Sequence, residues 1–185
     1  MKSIVEIFGE IVSNCSEGLE IAVFDGSQSV PLTSPSINYI FGNSQYIKEM
    51  LDDYTKADDM DKFPLVALFT PITETRGDRR YLSEVSLNII IACSTSVDWS
   101  NESRLQTSFK NILHPLYERL MDEIRKHPEV EVSYDGSIEH TYSENYSYGR
   151  YGAYTDSDEK LGEPIDAIDI RNLKIKIHNH NCTRI

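Results

Sequence analysis

The chain has 185 residues, enough for one domain whose core needs no disulfide staples. Its 30 acidic residues outweigh 18 basic ones and leave a formal charge of −12, which argues against the basic footprint that nucleic-acid binders use to displace phosphate counterions. The apolar fraction of 39% is low, so some polar segments are expected outside the core.

Ile4, Val5, Phe8, Ile11 and Val12 recur at helical spacing and predict an amphipathic first helix. Glutamates inside that pattern give the expectation that it is not a secretory signal. Leu19, Ile21 and Val23 alternate into a short strand that stops at the turn signal Asp25-Gly26. Ser27 to Asn38, with Pro31 and Pro35, reads as a loop. Asn43 or Ser44 is placed to cap a second helix reaching about Lys56.

The run 63-FPLVALFTPI-72 is β-favouring, with Pro64 and Pro71 expected at its ends because neither can donate to a ladder. A loop, 73-TETRGDRR-80, leads into 84-EVSLNIIIACSTS-96. There Val85, Leu87, Ile89, Ile91 and Cys93 share a face, while the face of Ser86, Asn88, Ala92 and Ser94 is at most half buried. These two runs are predicted to pair antiparallel. The longest apolar stretch, 89-IIIAC-93, is too short to cross a bilayer, so no membrane is implied.

The longest helix is predicted over 102–127, with a kink or break near Pro115, which lacks the amide that would bond the Asn111 carbonyl. A strand follows in 130-VEVSYDG-136. In 165-IDAIDIRNLKIKIHNH-180, Ile168 and Ile170 are out of phase with Leu173, Ile175 and Ile177. A β-bulge near Arg171-Asn172 would bring all five to one face. The element order predicts a single α+β domain: a mostly antiparallel sheet, helices packed on one face, one long Pro-kinked helix, and a Tyr-rich arm or long hairpin at about 137–163.

Chemical motifs are scarce. The sequence has no phosphate-cradling glycine loop, nucleophile elbow or HExxH helix, and no catalytic residue or cofactor is assigned. His178, His180 and Cys182 would share a strand face and are weak metal candidates, one ligand short of a closed tetrahedral site. Asp166 and Asp169 are read as solvent-face or turn residues, not as a catalytic pair. His114 is read as a packing or capping residue, and His140 has no visible partner. Cys15, Cys93 and Cys182 are odd in number and lack a CxxC spacing, which suits a reducing compartment.

Tyr142, Tyr146, Tyr148, Tyr151 and Tyr154 crowd one segment with Arg150. Stacking on a polyanion needs a positive groove, and the surrounding charge is negative. Tyr and Arg are enriched at protein–protein contacts, so these residues, with the basic cluster Arg76, Arg79 and Arg80, are the interface candidates. Their rings are expected to pack on their own domain or on a neighbour.

In element order and texture, residues 1 to 177 resemble the small neck proteins of tailed bacteriophages, of the tail-terminator or tail-completion type found in gut Bacteroides-type phages. The likeness runs through 63-FPLVALFTPI-72, 84-EVSLNIIIACSTS-96, 102-ESRLQTSFKNILHPLYERLMDEIRKH-127 and 165-IDAIDIRNLKIKI-177. The resemblance implies a non-enzymatic virion protein made in the bacterial cytoplasm. It would form a homo-oligomeric ring, typically a hexamer, that ends tail-tube growth and joins tail to head connector. DNA would cross the lumen without specific recognition. Other neck or head-completion rings remain open at this stage, as do a small metal- or ligand-binding protein using His178, His180 and Cys182, and an adaptor domain. The Tyr-rich insertion at 141–160 departs from the pattern.

Overall fold

Ser3 starts the first helix. Its hydroxyl accepts from the Glu6 N–H at 3.2 Å, while the Glu6 carboxylate accepts from the Ser3 N–H at 2.6 Å, a reciprocal capping box. The structure is a computed structural model describing residues 2–56, 63–77, 81–96, 98–148 and 165–178. Helix α1 (Ile4–Cys15) turns Ile7, Phe8, Ile11 and Val12 inward. Strands β1 (Glu20–Phe24) and β2 (Ser29–Thr33) form an antiparallel hairpin. The segment expected to be a loop therefore carries a strand. The Asp25 carboxylate accepts from the Ser27 and Gln28 amides and fixes the turn.

The main sheet is mixed but mostly antiparallel. Strand β3 (Asn38–Gly42) lies parallel to β4 (Leu65–Phe69), and β4 pairs antiparallel with β6 (Leu82–Ser94) as predicted. Pro64 and Pro71 fall just outside β4. The start of the expected 73–80 loop is a short strand, β5 (Thr73–Thr75), on the same side of β6. On the other side of β6 lies β9 (Ile165–His178), whose far edge takes β7 (Val130–Glu131) and β8 (Thr141–Tyr148). The expected strand over 130–136 thus shrinks to two residues.

The phase shift in the last strand is real. Leu87 pairs with Leu173 and Ile89 with Ile170, so one residue of β6 faces two of β9, Arg171 and Asn172. Asn172 takes φ +52°, and its N–H donates to the Asn88 side chain at 3.0 Å. Ile168, Ile170, Leu173, Ile175 and Ile177 all join the main core.

That core lies between one face of the sheet and α1 with the long helix. The long helix begins as α3 (Asn101–Arg104), widens into the π-helix π1 (Leu105–Leu113), and returns as α4 (His114–Lys126). The His114 N–H donates to the Phe109 carbonyl, five residues back. Pro115 then occupies the first turn of α4, where a missing N–H costs least. The expected kink or break at Pro115 is not confirmed: the backbone stays helical through Leu113 and His114, and only the winding changes there.

Helix α2 (Ser44–Lys56) covers the opposite face. Asn43 caps it, accepting from the Tyr46 N–H at 2.8 Å, and Ile47 and Leu51 pack on Ile40, Leu65, Ala67, Ile90 and Ala92. Not every helix therefore shares one face. The second face of β6 is buried at Ile90 and Ala92 and exposed at Ser86 and Asn88, half covered as its composition suggested.

Candidate functional site

Period two along β8 sets Tyr142, Glu144 and Tyr146 on the face that meets the long helix. Glu144 is their focus. Its carboxylate accepts from Tyr142 Oη at 2.8 Å, from Tyr146 Oη at 3.0 Å and from His114 Nε2 at 2.7 Å. A carboxylate only accepts, so the His114 proton sits on Nε2. Partial burial alone would raise the Glu144 pKa, but the bonds from His114, Tyr142 and Tyr146 hold it below the usual carboxylate range. Burial and the bond to Glu144 push the Tyr146 phenol up to about 12 and raise that of Tyr142 as well.

The rings continue the contact. Tyr146 lies on Phe109 of π1 at 4.3 Å between centroids, and Tyr142 meets Tyr117 of α4 edge-on at 5.0 Å. His140, with no partner visible in the sequence, bonds through Nε2 to Tyr117 Oη at 2.7 Å and through Nδ1 to the Ile138 carbonyl at 2.8 Å. The carbonyl only accepts, so a neutral His140 carries its proton on Nδ1 and takes that of Tyr117 on Nε2. This arrangement clamps β8 onto π1 and α4. The first tyrosines of the arm are therefore engaged with their own domain.

The other candidates separate. Asp166 and Asp169 are buried, contrary to the solvent-face reading, because each has an arginine partner. Arg104 Nη1 lies 3.3 Å from Asp166, and Arg171 donates to Asp169 at 2.6 and 2.9 Å. Three residues apart on a strand, the two carboxylates point to opposite faces and cannot act together. Arg104 also donates to the Ser96 and Trp99 carbonyls, fixing the start of α3.

His178, at the end of β9, bonds Tyr81 Oη through Nδ1 at 3.1 Å. His180 and Cys182 lie outside the described residues, as do Arg79, Arg80, Arg150, Tyr151 and Tyr154. Among the described residues no group of three or more His, Cys, Asp or Glu side chains could hold a metal. Arg76 pairs with Glu74, and Tyr148 ends β8. A groove of about 400 Å³ crosses the uncovered sheet face, where Glu84, Lys176 and Glu131 stand in one cross-strand row.

Tyr142 keeps about a third of its surface exposed, and among the described residues Val30 and Leu32 on β2, Phe41 on β3, Tyr46 at the start of α2, Tyr81 and Tyr134 are each more than 40% exposed. Sequence reading missed Val30 and Leu32 because short apolar groups in a Ser- and Pro-rich stretch carry no periodicity, and it placed Tyr46 on the apolar face of the second helix. No protein-family model matches the chain, and no curated protein matches it at a significant level.

Proposed function

We propose that the chain is a structural virion protein of the neck of a tailed bacteriophage, of the tail-terminator or tail-completion type, and that copies of it close into a ring, a hexamer in the resemblance. The observation that carries the reading is a sheet left open at both ends among the described residues, with the exposed ring of Phe41 on the β3 strand at one of them. Open edges with apolar flanks are a liability in a solitary molecule and a joint in an assembly. Head-to-tail contacts between unlike patches close into rings when the rotation permits.

The ring would end tail-tube growth and meet the head connector. An acidic surface suits a passage for DNA, which it would not hold. Mass spectrometry of purified virions, with cryo-electron microscopy of the neck, tests the assignment. The chain is expected at the head–tail junction in a small multiple of copies, and its absence from purified particles overturns the reading.

A further inference from the structure

The two outer strands near the N-terminus differ in what their free edges offer. In the β1–β2 hairpin the Asp25 N–H donates to the Gln28 carbonyl and the Ser34 N–H to the Leu19 carbonyl. Alternation between those bonds turns Val30 and Leu32 amides toward β1 and leaves positions 29, 31 and 33 facing outward. Pro31 thus deletes the central outward donor, a guard against strand addition.

Strand β3 has no such guard. The Asn38 N–H donates to the Pro64 carbonyl at 3.0 Å and the Gly42 carbonyl accepts from the Thr70 N–H at 2.8 Å, so the even residues address β4. In a parallel ladder alternate residues turn both groups to one neighbour, which leaves the N–H and C=O of Tyr39 and Phe41 facing outward. The strand reads Asn-Tyr-Ile-Phe-Gly, without proline or charge, and Phe41 is 49% exposed, its ring 6.2 Å from that of Tyr39. Among the described residues no strand pairs with this side.

We propose that the outer edge of β3 receives β8 of a second copy of this chain, extending the sheet from one copy to the next. The inference rests on the ring reading above and names its joint. A five-residue strand spans about 17 Å and buries on the order of 300 Å² per partner, well under the roughly 800 Å² of a stable pair. Two β3 edges facing each other would therefore make too small a dimer. Pairing opposite ends of the sheet gives every copy two such contacts, and closure makes them mutually supporting.

Charge agrees with the choice of β8. Its only ionised side chain is Glu144, turned inward and held by His114, Tyr142 and Tyr146. A β8–β3 contact thus brings no strand charge against another in a chain of −12.

Light scattering after size exclusion, with amide hydrogen exchange on the full chain, tests the proposal. Wild-type protein is expected to assemble as concentration rises, with the Tyr39 and Phe41 amides and the alternate β8 amides that face away from β9 slowing about tenfold or more. Phe41→Pro removes one outward donor without touching the bonds to β4, and Phe41→Lys places a charge on the edge. Each is expected to abolish assembly while leaving the circular dichroism and melting of the monomer unchanged. If both variants assemble like wild type, or the assembled protein leaves Tyr39 and Phe41 unprotected, the joint is wrong and the ring reading stands. A wild-type chain that stays monomeric at every concentration and is also missing from virions overturns both.

Discussion

His114 Nε2 and Glu144 lie 2.7 Å apart and join the first residue of α4 to the middle of β8, thirty residues along the chain. Glu144→Ala strands three donors at a partly buried contact and should cost about 2 kcal/mol in chemical denaturation. Combined with His114→Ala, a double-mutant cycle should return a coupling of about 1 kcal/mol. Strict additivity of the two single changes would show the pair to be incidental.

The same carboxylate sets a pH dependence. Its folded pKa lies below the unfolded value, so its contribution is complete above the ordinary carboxylate pKa of about 4.3 and is lost as pH falls through the depressed one. Glu144→Gln cannot titrate. The stability gap between wild type and Glu144→Gln should therefore shrink as pH falls below about 4. Urea midpoints across the acid range check it, and a gap that widens below about pH 4 contradicts it.

Arg104 and Asp166 are 2% and 0% exposed, and the pair ties the start of the long helix to β9. Arg104→Ala leaves a carboxylate in the core and should cost about 3–5 kcal/mol. Arg104→Met with Asp166→Leu removes both charges and should recover part of that loss. The recovery is incomplete because the Ser96 and Trp99 carbonyls also lose their donor. Guanidinium titrations of wild type and the two variants decide the order.

Asn172 holds the left-handed backbone that the bulge requires. Asn172→Gly should be neutral or slightly stabilising, since the N–H to Asn88 is a backbone group and survives. Asn172→Val should cost about 1–2 kcal/mol, read as a lower melting temperature.

Burial pushes the Cys15 thiol up to about 12 and raises that of Cys93 further. Both should resist a thiol-specific reagent in the native protein and react only on unfolding. Peptide mapping after labelling with and without urea measures this, and rapid native labelling of either would place it outside the core.

How legible the fold was depended on how local its causes were. The bulge at Arg171-Asn172 could be read because a parity change along one strand is visible in that strand alone. Strand β2 could not, since all five of its residues are exposed and Pro31 fits only because its missing amide faces outward. Strand β3 is short and finds its parallel partner across α2, leaving no periodic trace. Asp166 looked like a surface residue because the arginine that permits its burial is 62 positions away. Within the site, the crowding of tyrosines marked the segment, but Glu144 counted only as negative charge until β8 set it between Tyr142 and Tyr146. The histidine that completes it comes from another element.

Strand β9 has one consequence for the order in which the molecule is made. It is central in the sheet, bonded to β6 on one side and to β7 and β8 on the other, yet it follows all of them in sequence. While the nascent chain lengthens, the long β6 waits with one whole side unzipped, and the tyrosine strand has nothing to lean on but a helix. The strands β3 to β6 can pair before β9 arrives, but the sheet closes only on the long-range pairing of β9.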